Sequence, residues 1–540
     1  MPGRIPRLSL ATFITLAVAL TIHRTARAED YFLTVGGGYS PLGNQISLEK
    51  NVLFLQRLLA EEKPGLRHDI LFSDGASPQR DLQFAADNVP QANQFLARLF
   101  HNEKYLGLEY RNHEVPGIRD GSSRDSLRRW FDEVGAKLKS GDRLFFYATA
   151  HGGKSGDKNK PYDTKLYLWN GESIRVEELV EHFDSLPAGV SVVSVMVQCY
   201  SGGFAHTIFN DGDASKGISP QARCGFYATR HDRIAAGCTP DIAEEDYHEF
   251  SSDFWAALGG KSRTGQPIER PDYDGDGQVS FEEAFAYTVL VSNTIDIPNR
   301  TSGAFLRAIS KLESKEHADL VQADAPYDEL LALANPAERA MLEGLSAQLE
   351  LANADRYAQA KQKADEVEKQ RKTLQGKIGE IDKKAKSIKE EIKKHLLLKW
   401  PELGNLLGPS SVALLTNQPE QFVAAVEAEP RFSELNTLLA EQEQLATERL
   451  DLERRWAKCQ RFERALEEVA LAANLSKVAD EATQQRYRQL RAAEASTLAA
   501  VSPEAVSWQD FTAPRSSRIA GQTVRYNVPP SLEADPQSCE

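Results

Sequence analysis

Two apolar runs each end on a side chain able to do chemistry and then on glycine. Residues 144–150 (LFFYATA) stop at His151-Gly152-Gly153. Residues 192–197 (VVSVMV) stop at Gln198-Cys199-Tyr200-Ser201-Gly202, placing Cys199 forty-eight positions after His151. A cysteine thiolate is a strong nucleophile, and a neighbouring imidazole can act as its acid/base partner. A second constellation lies further on. Residues 272–283 put Asp272, Asp274 and Asp276 at positions one, three and five of a twelve-residue loop, with Gly277 at six. Gln278 follows with a backbone carbonyl at seven, Ser280 offers a direct or water-bridged contact at nine, and Glu283 a bidentate carboxylate at twelve. That is the ligand spacing of an EF-hand calcium loop, and three crowded carboxylates repel one another without a cation.

The elements around these residues must bring them together. Both runs are short, β-branched or aromatic, and closed by turn residues, so they read as buried parallel strands. Earlier, residues 31–35 and 68–72 read as strands, and 47–59 as a helix with Leu48, Val52, Leu55 and Leu59 on one side. Helices are expected over 123–138, 175–186 and 247–258, a further strand over 223–229, and a polar surface excursion over 75–120. Alternating strands and helices imply an α/β domain, a mainly parallel sheet with helices on both faces. Residues at the carboxyl ends of adjacent strands then lie side by side.

The His-Gly and Cys-x-Ser-Gly pair resembles that of the caspase-like cysteine peptidases, especially legumain, the metacaspase-related enzymes and their bacterial relatives; the resemblance extends loosely over residues 30–310. It implies that Cys199 attacks a scissile carbonyl while His151 protonates the leaving amine. It also implies an oxyanion site formed by the backbone N–H groups of Cys199 and Gly152. Legumain carries an Asn that contacts its His, and an ungapped match of residues 44–47 places Asn44 there; a turn-forming Asn is the alternative. The pocket arginine that follows in legumain is Ile46 here, so Asp or Asn specificity does not carry over. Arg230 and Asp232 fall where related enzymes line the substrate groove, and a surface ion pair between them is the alternative. His206 and His231 are the other histidines nearby, but neither follows a strand with a glycine turn.

Residues 1–28 have the form of a secretory leader: Arg4 and Arg7, an apolar run over 8–22, and Ala26-Arg27-Ala28 before Glu29, with an uncleaved anchor as the alternative. Its removal takes away four arginines and moves the net charge from −14 to about −18, which disfavours nucleic acid as a partner. A secreted or periplasmic protein without a transmembrane span in its mature chain is expected. Five cysteines leave at least one unpaired, and Cys199 is the natural candidate. The other four allow three pairings, of which Cys224 with Cys238 is favoured because the two bracket one predicted loop.

From about 335 glycine becomes scarce, and Ala, Glu, Lys, Gln and Leu dominate. Apolar residues from Ala360 to Ile392 follow heptad spacings, and Leu438, Leu445, Leu452, Cys459 and Leu466 recur every seven. Prolines and glycines over 400–431 must break the helix, so 335–500 is expected to form an antiparallel coiled-coil hairpin, with 501–540 an irregular tail. The hairpin is a candidate for self-association, for holding a partner protein or for covering the groove. The lysine-rich segment 383–394 reads as its solvated face. The expectation is thus a peptidase domain over 29–334 acting on protein or peptide substrates, with calcium as its ion. A catalytically silent scaffold of the same fold and a transpeptidase remain the alternatives.

Overall fold

The computed structural model describes residues 28–498 apart from 87, 102, 104, 105, 315 and 316. The expected leader (1–28, except Ala28) and the tail (501–540) lie outside the described residues.

A six-stranded sheet forms the centre of the α/β half. In chain order its strands are β1 (Asp30–Gly36), β2 (Arg67–Phe72), β3 (Arg143–Thr149), β4 (Ser191–Met196), β5 (Arg223–Tyr227) and β6 (Asn299–Arg300). Their spatial order is β6-β5-β4-β3-β1-β2, all parallel except for β6. The chain first builds outward from β1 to β2 and then resumes on the other side of β1. That reversal opens a crevice beyond the carboxyl ends of β1 and β3. Alternation along β3 shows how both faces are filled. Phe145 and Tyr147 join one apolar cluster with helices α1 (Ile46–Glu62), α2 (Phe250–Gly259) and α3 (Phe281–Val291). Leu144, Phe146 and Ala148 join another, with the helices Arg124–Glu133 and Val176–Asp184. Such runs are buried on both faces, as a parallel sheet requires.

The excursion over 75–120 is more ordered than its polarity suggests. It contains an antiparallel ribbon of Leu82–Ala85 with Leu108–Arg111, and between them the helix Gln91–Phe100. Ala92, Phe95 and Leu99 bury one side of that helix in a third cluster, an i, i+3, i+7 stripe that Pro90 and the neighbouring asparagines obscured.

The C-terminal region contains two long helices, α4 (Arg356–Lys399) and α5 (Phe432–Val478). They run antiparallel: Tyr357 meets Glu467, Arg371 meets Glu453, and Glu391 meets Arg431, so positions rise along one helix as they fall along the other. Between them, Pro409 and Pro419 each open a short helix, Pro409–Asn417 and Pro419–Glu427. Proline at a first helical position has no N–H to lose, so the break folds into two short helices.

Composition changes at 335, yet packing does not. Phe462, Leu466, Val469 and Ala470 of α5 share one cluster with Phe145 and Val195 of the central sheet. Buried Arg461 donates to the carbonyls of Val289, Ser292, Thr294 and Asp296, satisfying the end of α3 and the loop after it. Nearby, Arg300 of β6 is ringed by Glu282, Glu338 and Glu468, which hold its guanidinium far above the usual range despite burial. No described helix is long and apolar enough to cross a membrane.

Candidate functional site

The register of β3 with β4 brings the two sequence-selected residues together. Ala148 pairs with Met196, and the Val197 N–H donates to the Ala148 carbonyl at 3.0 Å, so both chains leave the sheet at one level. His151-Gly152 then passes directly against Gln198-Cys199. A β-carbon on residue 152 would overlap the Cys199 carbonyl and the Gln198 side chain, so glycine is required for this approach. Immediately after Cys199, Tyr200 adopts φ 62°, a left-handed conformation that turns the chain sharply into the 3-10 helix Ser201–Ile208.

The His151 ring is held from the loop after β1. Its Nε2 lies 2.8 Å from the Gly43 carbonyl and 2.9 Å from Gln45 Oε1. A carbonyl can only accept, so Nε2 carries the ring proton and the basic lone pair of the neutral ring sits on Nδ1. Tyr39 packs edge-on against the ring, with centroids 5.4 Å apart. The role assigned to Asn44 therefore needs correcting. Its amide accepts from Gly38 N–H at 2.9 Å and donates to Ser73 Oγ at 3.0 Å and the Asp81 carbonyl at 2.9 Å. Asn44 shapes the loop, while its two neighbours hold the imidazole.

Cys199 is only 5% exposed. The segment after β5 folds over it. Ala235 N–H donates to Sγ at 3.3 Å, the Arg233 carbonyl accepts from Tyr200 N–H at 2.8 Å, and Ser201 Oγ accepts from Thr229 N–H at 3.3 Å. The Ala235 carbonyl also accepts from the Cys199 thiol at 3.8 Å, so one residue holds the sulfur as both donor and acceptor. The far end of the segment is held by Asp296, whose Oδ1 accepts from Ala236 N–H at 2.8 Å. Burial pushes the Asp296 carboxyl up to about 7.

That covering segment is in turn strapped to the long helices. Arg233 pairs with Glu453 of α5, and its guanidinium stacks over Trp456 at 4.6 Å. Arg371 of α4 pairs with the same Glu453. Sequence reading missed Gln45, Ala235 and this Arg233–Glu453–Trp456 strap, since backbone contacts and cross-chain ion pairs leave no local pattern.

Arg230 and Asp232 engage each other in a bidentate ion pair, at 3.0 and 2.7 Å. Gly202 packs against the Arg230 backbone, which places the pair beside the Cys199 turn. His206 is stacked on Tyr162 at 3.8 Å, and burial lowers its pKa to about 4. The His231 ring centroid lies 4.3 Å from that of the same tyrosine. The expected Cys224–Cys238 bridge is not formed: Cys224 is a free thiol buried in β5. It faces the core because the strand pairs fully with β4, and burial pushes its thiol pKa well up. Burial likewise raises Cys459 to about 11.

The acidic loop is closed on itself by backbone N–H groups donating to its own carboxylates. Gly277, at φ 86°, donates its N–H to Asp272 Oδ2 at 2.9 Å, which closes the sharp turn. Asp274 and Asp276 each accept from the N–H two residues on, at 3.0 and 2.8 Å. Glu283 reaches back to the N–H groups of Tyr273 and Asp274 and caps α3 with Ser280, while Gln278 turns its side chain to Thr497. Asp272 Oδ1 is buried with no hydrogen-bond partner, and one oxygen each from Asp272, Asp274 and Asp276 lies within 4.8 Å of the others. These oxygens fit a hard dication. Helix α3 leaves the loop, but the residues before it form a turn and no entering helix, as its Gly and Pro content predicts.

No family model and no curated protein matches this chain. Among solved structures it is similar to protein GSU0716 from Geobacter sulfurreducens at 12% identity, covering 48% of this chain and 88% of that one, with a TM-score of 0.28.

Proposed function

We propose that this chain is a secreted, calcium-binding cysteine endopeptidase of the caspase-like type. The observation that carries the reading is the close passage of Gly152 against Cys199 at the carboxyl ends of adjacent parallel strands. Residue 151 there is a histidine whose tautomer is set from a separate loop. In the reaction, the Cys199 thiolate adds to a peptide carbonyl, and the carbonyl oxygen takes the negative charge beside the backbone of Gly152 and Cys199. Collapse breaks the C–N bond, and protonated His151 gives its Nδ1 proton to the leaving amine. Water then loses a proton to His151 and attacks the thioester; the products are a carboxylic acid, an amine and the regenerated thiolate. An amine in place of water makes the same intermediate a transpeptidase. Incubating the protein with a positional peptide library and an added amine, followed by mass analysis, separates the two. Hydrolysed fragments support the peptidase and amine adducts the ligase, whereas intact peptides at every position would remove both.

A catalytically silent scaffold is favoured by one observation, the burial of Cys199 beneath the segment pinned by Ala235 and Arg233. On the peptidase reading that segment must lift before a substrate enters. Arg233→Ala or Trp456→Ala then raises the rate at which iodoacetamide alkylates Cys199 by several-fold, measured by peptide mapping. An unchanged rate in both would show that the strap does not govern access.

Calcium would be held by Asp272, Asp274, Asp276, the Gln278 carbonyl, Ser280 and Glu283, and it supplies charge neutralisation for the loop. Because Val279 and α3 join the sheet's apolar cluster, binding there stabilises the fold. At calcium about 100-fold above its dissociation constant the gain is about 2.7 kcal/mol. Added calcium should raise the thermal midpoint of the wild type and leave that of Asp272→Asn/Asp274→Asn unmoved.

A further inference from the structure

A second group of metal-ligating side chains lies outside the calcium loop and behind the site. Asp74 comes from the turn after β2, Asp81 precedes the strand Leu82–Ala85, and His113 follows the strand Leu108–Arg111. One ligand atom of each lies within 4.8 Å of the others. Asp81 is fully buried, and His113 nearly so. Asp81 Oδ1 accepts from the His113 N–H at 2.9 Å, but Oδ2 faces the cluster with no hydrogen-bond partner, 4.0 Å from His113 Nε2. Both carboxylate oxygens of Asp74 are also buried without a partner. The Gly75 carbonyl stands 2.9 Å from His113 Nε2.

No described lysine or arginine is in direct contact with these carboxylates, and Arg111 acts on Asp81 only at longer range. Among the described residues neither aspartate forms an ion pair with Lys or Arg; the nearby Arg111 is engaged with Glu49. Buried carboxylate oxygens without donors are costly. A proton shared between the aspartates would serve one oxygen of each and leave the second Asp74 oxygen to Ser77, which stands too far off for a well-formed hydrogen bond. A dication serves all three oxygens and takes the place of the proton that His113 Nε2 shares with the Gly75 carbonyl, that proton moving to Nδ1.

We infer that Asp74, Asp81 and His113 bind a divalent transition-metal ion of the zinc, manganese or cobalt class, with the Gly75 carbonyl within reach as a further oxygen. Imidazole with two carboxylates suits such ions, whereas the all-oxygen loop at 272–283 suits calcium. The metal ties the turn at 73–75 to both strands at one end of the ribbon, where Leu82 pairs with Arg111. It lies directly beneath Asn44, which binds Ser73 Oγ and the Asp81 carbonyl. Asn44 in turn stands between Gly43 and Gln45, the two holders of His151. The ion is therefore a structural support for the histidine loop and takes no part in bond breaking.

Equilibrium dialysis against Co2+, read with its visible absorption, tests this in the full chain carrying Asp272→Ala and Asp274→Ala to silence the calcium loop. The expected result is about one Co2+ per chain, undisturbed by excess Ca2+. Asp81→Asn and His113→Gln should each weaken binding by about 100-fold or more. Circular dichroism before metal addition shows whether each variant folds; should Asp81→Asn fail, the less buried Asp74→Asn carries the comparison. A folded chain that holds no Co2+, or binding of equal strength in the ligand variants, overturns the site. The first result would leave a proton shared by the aspartates, and the second would mark adventitious binding elsewhere. Neither depends on peptidase activity.

Discussion

Cys199→Ala should abolish labelling by a peptidyl electrophile and lower peptide turnover by roughly 10^4-fold or more, because no other group can form the acyl-enzyme. The buried thiols make this test clean. Cys224 and Cys459 have their pKa values raised by burial, so neither supplies much thiolate near neutral pH. Cys199 and the half-buried Cys238 are then the described thiols left to compare, and peptide mapping tells them apart. Equal labelling and equal turnover in wild type and Cys199→Ala, under reducing and calcium-replete conditions, would end the enzyme reading and leave the scaffold.

The largest expected effect on stability comes from a residue far from that thiol. Arg461→Met should cost about 3–5 kcal/mol, read as a lower urea midpoint at unchanged slope. Methionine fills much of the volume but donates nothing to the carbonyls of Val289, Ser292, Thr294 and Asp296. Buried carbonyls left without donors each cost on the order of 1–3 kcal/mol, and relaxation recovers part of the total. A loss below about 1 kcal/mol would mean that water reaches those carbonyls readily. Lys458, one turn earlier, is the control because its side chain makes no hydrogen bond or ion pair among the described residues; Lys458→Met should change stability little.

Much of the α/β half was legible because it is written in local pattern. The buried strands at 143–149 and 191–196 are continuous apolar runs, and the acidic loop is a fixed spacing with glycine at its turn. The juxtaposition of His151 with Cys199 followed from parallel topology alone. What escaped was set by contacts across long separations. The contact with the ring expected of Asn44 is made by its neighbours Gly43 and Gln45, because a single residue decides which group faces the ring. Cys224 looked like half of a bridge, but its strand position directs it into the core. Arg461 sits in a stretch whose heptad pattern says coiled coil, and only packing shows that this part of the helix belongs to the sheet's core. The Asp74–Asp81–His113 group is spread over forty residues with no motif to mark it.

The pair of long helices has a mechanical meaning. At one end, Ile388, Ile392, Phe432 and Leu435 are fixed to Phe95 and Leu99 of the helix Gln91–Phe100. At the other, Phe462 to Leu475 are embedded beside the sheet. A 44-residue helix is about 66 Å long, so the hairpin is a beam clamped at both ends. Glu453 and Trp456, which grip the cover over Cys199, lie along its span. A clamped beam resists swinging as a whole and yields by small flexure between its supports. Uncovering the thiol is thus a matter of releasing one grip on the span, and anything that presses on the mid-length of the hairpin is felt at Cys199.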